Sequence, residues 1–477
     1  MKANYLFTLC LLLITGSSIA SVSLPSFFSD GMVLQQQQKV AIWGNAIPHQ
    51  QVVISTSWDG KKYQFKTDAQ GKWWGQVKTP RAGGPYQIEI SEQNKIILQD
   101  VLIGEVWIAS GQSNMEMSLL GFKNQPVTNS AQIIRESTNP KIRLFMVENV
   151  SWAKPLTSVK GSWSAASPET VGKFSAVAFG YAKMLQEKLN VPIGIIEVAW
   201  GGTLVQAWMS AKSLKEFAAD TVPPLQDVAL ANKNTPSGLF NGMINPIAGY
   251  GIKGVIWYQG EQNRHEPERY VSLFKSMVKD WREAWKIGDF AFYYVQIAPY
   301  ISKSPNWNAA TKLLAPKVPF LREAQLQSSF ELKNSGMVVL TDVGAENTIH
   351  PPDKQTVSNR LSALALAKTY AKETPFQSPV YRKMEIRGQK VLLKFDHAAS
   401  GLILKNENSQ NFELAGEDQV FHPAKAEVVS DGLLVYADSV IKPVAVRYAF
   451  KAWAMGDLFN KEGFPASSFR TDKWPMK

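Results

Sequence analysis

Cysteine is all but missing from this chain. Its single residue, Cys10, sits in an apolar stretch near the N-terminus. Disulfides, thiolate-held metals and a cysteine nucleophile are therefore excluded beyond that stretch. Histidine is scarce too, with five in 477 residues. No HxH or HExxH pair occurs, so metal catalysis is not expected and no cofactor is assigned. Beyond the N-terminus no run approaches the roughly 18 apolar residues that a membrane span needs. The net charge is +11, yet no run of five basic residues exists. Scattered Lys and Arg read as a solvated surface, and neither nucleic acid nor membrane is expected as a partner of the processed chain.

What is present describes a globular protein: 45% apolar and 19% charged residues, over a length that suggests two or three domains. Fifteen Trp, 14 Tyr and 23 Phe supply cores, and also flat rings of the kind that stack on sugars. Residues 1–20 read as a secretory signal, with Lys2 before an apolar core from Tyr5 to Ile14 and a cut after Ala20. The expected location is secreted or periplasmic.

The remainder of the chain shows three patterns. Residues 21–100 carry short alternating runs such as VAIWGNA, QVVISTSW and KWWGQVK, which predict a small β module. Residues 101–375 alternate apolar strands with helix-length segments. The strands are VLIGEVWIA, IGIIEVAW, GVIWYQ, AFYYVQIA and MVVLTDV; helices are expected at 174–189, 267–286, 319–332 and 352–371. Strands buried on both faces and separated by helices predict a parallel sheet in an α/β layered domain. The polar stretch 210–245 reads as an excursion over its active face. From 376 to 477 short strands return as a second β module.

Chemistry collects outside the carboxyl ends of parallel strands. Here those ends read Gly111-Gln112-Ser113-Asn114, Trp200-Gly201-Gly202-Thr203, Gly260-Glu261-Gln262-Asn263 and Asn347-Thr348-Ile349-His350. A hydroxyl, a glycine pair, a carboxylate with an amide, and an imidazole are the parts of serine acyl transfer. Of the five histidines, His49, His397 and His422 fall in the β modules. His350, between the last strand and a helix, is preferred as base over His265, which reads as solvated.

The motifs GQSNMEM, AWGGT, WYQGEQN and IHPPDKQ, in that order, resemble the sialate O-acetylesterases, a branch of the SGNH (GDSL-like) hydrolases. LPSFFSDGMVLQ followed by VAIWGNA extends the likeness over most of residues 25–370. The resemblance implies an SGNH-type three-layer α/β/α catalytic domain flanked by N- and C-terminal β-sandwich-like modules. It implies Ser113 as nucleophile, with its own N–H, that of Gly202 or else Gly201, and the Asn263 side chain as oxyanion donors, and His350 as base. Many relatives place Asp three residues before that His; this chain has Asn347. Glu261 is then the first candidate to orient His350, with Asp342, Glu346 or a backbone carbonyl as alternatives.

Candidate substrate-binding residues are Gln112, Trp200 and Arg322, the last as a clamp for a sugar carboxylate or else as a helix-surface ion pair. Trp208 is a further cleft candidate, whereas Trp107 and Trp257 read as core. The implied activity is removal of O-acetyl groups from carbohydrates, foremost 9-O-acetyl sialic acids. Acetylated xylan or another polysaccharide is the alternative substrate, and a non-catalytic glycan-binding protein is the alternative class.

Overall fold

The computed structural model describes residues 22–301 and 314–475. The expected signal over residues 1–20, with Cys10, lies outside the described residues.

Seven strands build the central sheet: β1 (Lys95–Gly111), β2 (Asn139–Met146), β3 (Trp163–Ala166), β4 (Ile193–Ala199), β5 (Gly254–Tyr258), β6 (Ala291–Val295) and β7 (Ser335–Val338). Their order is β7-β6-β5-β1-β4-β2-β3. All neighbours are parallel except β3, which runs antiparallel on β2. Every residue of β4, β5 and β6 is buried, as strands covered on both faces require. Along β5, Ile256 and Tyr258 pack with Tyr181, Leu185 and Leu361, residues of helices α1 (Ala176–Leu189) and α4 (Lys354–Lys368). The alternate residues Val255 and Trp257 pack with Phe274, Trp281 and Leu321 of α2 (Pro267–Trp285) and α3 (Val318–Glu331). The period of two in a strand thus divides one apolar run between two helical layers.

Strand β1 is 17 residues long and serves two neighbourhoods. Its first half pairs with Gly83–Ser91 and meets Val33–Gln35 at Leu102–Gly104. Its second half lies between β4 and β5. The division expected at residue 100 therefore falls inside a continuous strand. From Val380 onward the chain forms antiparallel sheets, among them Val380–Arg387, Lys390–Asp396, Gly432–Tyr436 and Lys425–Val429.

Strand β2 was not expected from the sequence. Pro140 and Arg143 interrupt its apolar pattern, and Arg143 is buried because both arms of its guanidinium reach Asp100, at 2.5 and 3.1 Å. Strand β7 is shorter than the run 337–343 suggested and ends at Val338. Among the described residues no helix is long and apolar enough to cross a membrane.

Candidate active site

Strand β1 ends on Gly111 because nothing larger fits there. A Cβ at this residue would stand 2.1 Å from the carbonyl oxygen of Tyr258 in β5. Gln112 N–H donates to that same carbonyl, and the chain then turns into the short helix Ser113–Glu116. Ser113 is left at the carboxyl edge of the sheet. The turn after β4 meets it from the side: a Cβ on Gly201 would lie 3.1 Å from Ser113 Cβ.

His350 comes from the loop between β7 and α4. Its Nε2 is 2.8 Å from Ser113 Oγ, and its Nδ1 is 2.6 Å from Gln125 Oε1. Since a side-chain amide oxygen only accepts, Nδ1 carries the proton and Nε2 presents its lone pair to the hydroxyl. Thr348 Oγ1 also donates to Gln125 Oε1, at 3.2 Å, and the Phe122 ring packs edge-on against the imidazole at 5.1 Å. Burial, and after it the charge of Lys354, lowers His350 from the usual 6.5 to about 4. The ring is therefore neutral, and able to accept a proton, down to acid pH.

The group that orients His350 is thus Gln125, which corrects the assignment of Glu261. The Glu261 carboxylate accepts from Asn114 Nδ2 at 2.6 Å, is fully buried, and has no partner for Oε2 among the described residues. Burial pushes its carboxyl above the ordinary range. Asp342 is engaged elsewhere, in a two-pronged pair with Arg360 at 2.7 Å on each arm. Neither it nor Glu346 takes a ring nitrogen of His350, since both nitrogens are held by Ser113 and Gln125.

Asn263 is likewise not aimed at an oxyanion. Its Nδ2 donates to Gln206 and Glu266, while its Oδ1 accepts from Val205 N–H and Gln259. Both amide ends are consumed in knitting two loops together. Gly201 N–H is also taken, by Glu116 Oε2 at 2.7 Å. The N–H groups of Ser113 and Gly202 are given to no other group among the described residues, and they remain as donors.

The substrate-binding candidates divide. Trp200 is half-buried beside the glycine pair, with Lys233 Nζ 5.9 Å from its ring centre. Gln112 is 1% exposed, and its amide oxygen accepts from the Gly260 and Gln262 N–H groups, bracing the loop after β5. Arg322 is 0% exposed and is neither a sugar clamp nor a surface ion pair. It donates to Ser468 Oγ and to the Lys451 carbonyl, tying α3 to loops of the C-terminal β region. Trp208 is core, edge-on to Trp257. His265 is half-exposed and bonded to the Gln262 carbonyl through Nδ1.

The stretch 210–245 does reach this face. Lys233 Nζ donates to the Gly201 carbonyl at 2.5 Å, and Asn234 Nδ2 to that of Gly202 at 3.0 Å. The glycine pair is thereby held from outside while Glu116 holds it from within.

A serine, a neutral imidazole in the base tautomer and the uncommitted N–H groups of Ser113 and Gly202 can perform acyl transfer. Comparison with known proteins agrees with that chemistry. The family model described as carbohydrate esterase, sialic acid-specific acetylesterase, matches residues 103–372. A sialate O-acetylesterase of Homo sapiens is 29% identical over 90% of this chain and 87% of its own length. Its counterpart in Mus musculus is 26% identical over 90% of this chain and 89% of its own length. Among solved structures, a carbohydrate acetylesterase of Xanthomonas citri is 34% identical, with a TM-score of 0.84, covering 95% of this chain and 100% of that one.

Proposed function

Because the chain belongs to the sialic acid-specific acetylesterase family of carbohydrate esterases, and so is a carboxylic-ester hydrolase, we propose that it cleaves acetyl esters by a Ser113–His350 acyl-enzyme mechanism. The 2.8 Å contact between Ser113 Oγ and His350 Nε2 carries this reading. Ser113 Oγ attacks the acetyl carbonyl as its proton passes to Nε2. The carbonyl oxygen gathers charge and takes the N–H groups of Ser113 and Gly202. Collapse breaks the ester bond, the imidazolium returns the proton to the departing sugar oxygen, and acetyl stays on Ser113. Water, deprotonated by the same ring, then releases acetate and restores the hydroxyl. Gln125 orients the ring throughout, with an amide dipole in the place where many such enzymes have a carboxylate.

The substrate we assign is an O-acetylated acidic sugar, foremost 9-O-acetyl sialic acid. Curated relatives named for sialate support this, as does Lys233, a half-buried cation against the glycine pair and Trp200. Acetate release should be faster from O-acetylated sialic acids than from acetylated xylan, at equal concentrations of ester. The reverse preference would overturn the substrate and leave the mechanism standing. We also read the catalytic region as SGNH-type, the flanking strands as sandwich-like modules, and residues 1–20 as a signal for export.

His350 also fixes how the rate responds to acid. Below about 4 the ring is protonated and cannot accept from Ser113. The kcat/KM profile should therefore hold its plateau through about pH 5 to 7 and fall with a midpoint near 4. A midpoint near 6.5, that of an ordinary imidazole, would contradict the burial of the ring.

A further inference from the structure

Lys354 is an expensive residue where it stands. It is 2% exposed, so its ammonium has left water. It is the first residue of α4, behind the cap Asp353, where the helix dipole opposes a cation. It also stands four residues after the proposed base and disfavours a second positive charge there. Three unfavourable placements at one side chain point to a role beyond filling space.

Its surroundings suggest that role. Lys354 Nζ donates to Asn114 Oδ1 at 2.6 Å and lies 5.8 Å from the centre of the Tyr258 ring. The Nδ2 of the same amide donates to Glu261 Oε1 at 2.6 Å and to the Ile349 carbonyl at 2.8 Å. Asn114 is the neighbour of Ser113, and Ile349 the neighbour of His350. One amide therefore joins the nucleophile's helix start to the histidine's loop, with a buried ammonium at one end and a buried carboxylate at the other.

We propose that Lys354 is a positioning residue which, by gripping Asn114, fixes the His350 loop against Ser113 and sets the electrostatic field in which the imidazole works. The proposal rests on Ser113 and His350 as nucleophile and base, and removal of the Ser113 hydroxyl tests that separately. The groups facing His350 are Ser113, Gln125, Thr348 and Phe122, all uncharged, and Lys354. Behind Lys354 stand Glu261 and Asp353, with Arg264 acting on Glu261. Burial lowers Lys354 from 10.5 to about 7, so at the acid limb it is charged and holds His350 neutral.

The test is Lys354→Met, which keeps the length of the side chain and removes its charge. With the cation gone, protonation of His350 becomes easier, and the acid limb of kcat/KM should move up by about half a pH unit or more. At about pH 8, where the ring is neutral in both proteins, kcat should fall about tenfold with KM within about twofold, because the loop is loosened. Asn114→Ala should lower kcat similarly while leaving the acid limb in place. The double variant should lose about as much kcat as the worse single one. An unmoved acid limb in Lys354→Met, or losses in the double variant that simply multiply, would overturn the proposal. If Lys354→Met does not fold, Asn114→Ala decides alone, and an unchanged kcat refutes it.

Discussion

Replacing Ser113 with alanine should lower hydrolysis of p-nitrophenyl acetate by about 10⁵-fold. The acyl-enzyme route needs an oxygen at this position, and the next candidate groups are already committed. Gln112 braces the neighbouring loop, and the Asn114 amide is bonded at both ends. Stability should be nearly untouched, because Ser113 Oγ bonds only to His350 Nε2 among the described residues and alanine is a good helix former. Unfolding midpoints of the two proteins should agree while their rates diverge. Equal rates for both at background level would instead favour a glycan-binding protein without catalysis, and substantial activity in the variant would place the nucleophile elsewhere.

The second large effect is expected at the base. His350→Ala should cost about 10⁴-fold or more in kcat/KM, whereas His265→Ala should stay within about threefold. His350 touches the hydroxyl, is partly buried and is held by Gln125, while the His265 ring is half-exposed and bonded within its own turn. Parallel assays of the two variants at neutral pH check the ranking, and a reversal would mean that the wrong imidazole has been assigned. Alanine at 350 also strips Gln125 Oε1 of one donor, so part of that loss comes from loosening of the 122–125 turn.

How much of this could be read beforehand depends on whether a residue's partners lie nearby in sequence. The strand ends at Gly111, Ala199 and Tyr258 were visible because continuous apolar runs stop at turn residues, and each strand delivers its turn to the same edge of the sheet. His350 could be picked out by its place between a strand and a helix. Gln125 could not, since it sits in an unremarked loop and meets the imidazole across 225 positions. Asn263 misled for a related reason. Its amide looked free because one of the groups that consume it, Gln206, arrives from another segment, while Glu266 closes on it from three residues further on. Arg322 looked exposed on a helix because the carbonyl that covers it, that of Lys451, belongs to a loop far along the chain beyond residue 376. Lys354 and Asn114 stood inside the motifs themselves, but spacing alone does not reveal that an amide bridges them.

The 17-residue strand β1 makes the N-terminal strands and the catalytic sheet joint owners of one segment. A cut between the two would pass through the strand that leads straight into the turn bearing the reactive hydroxyl.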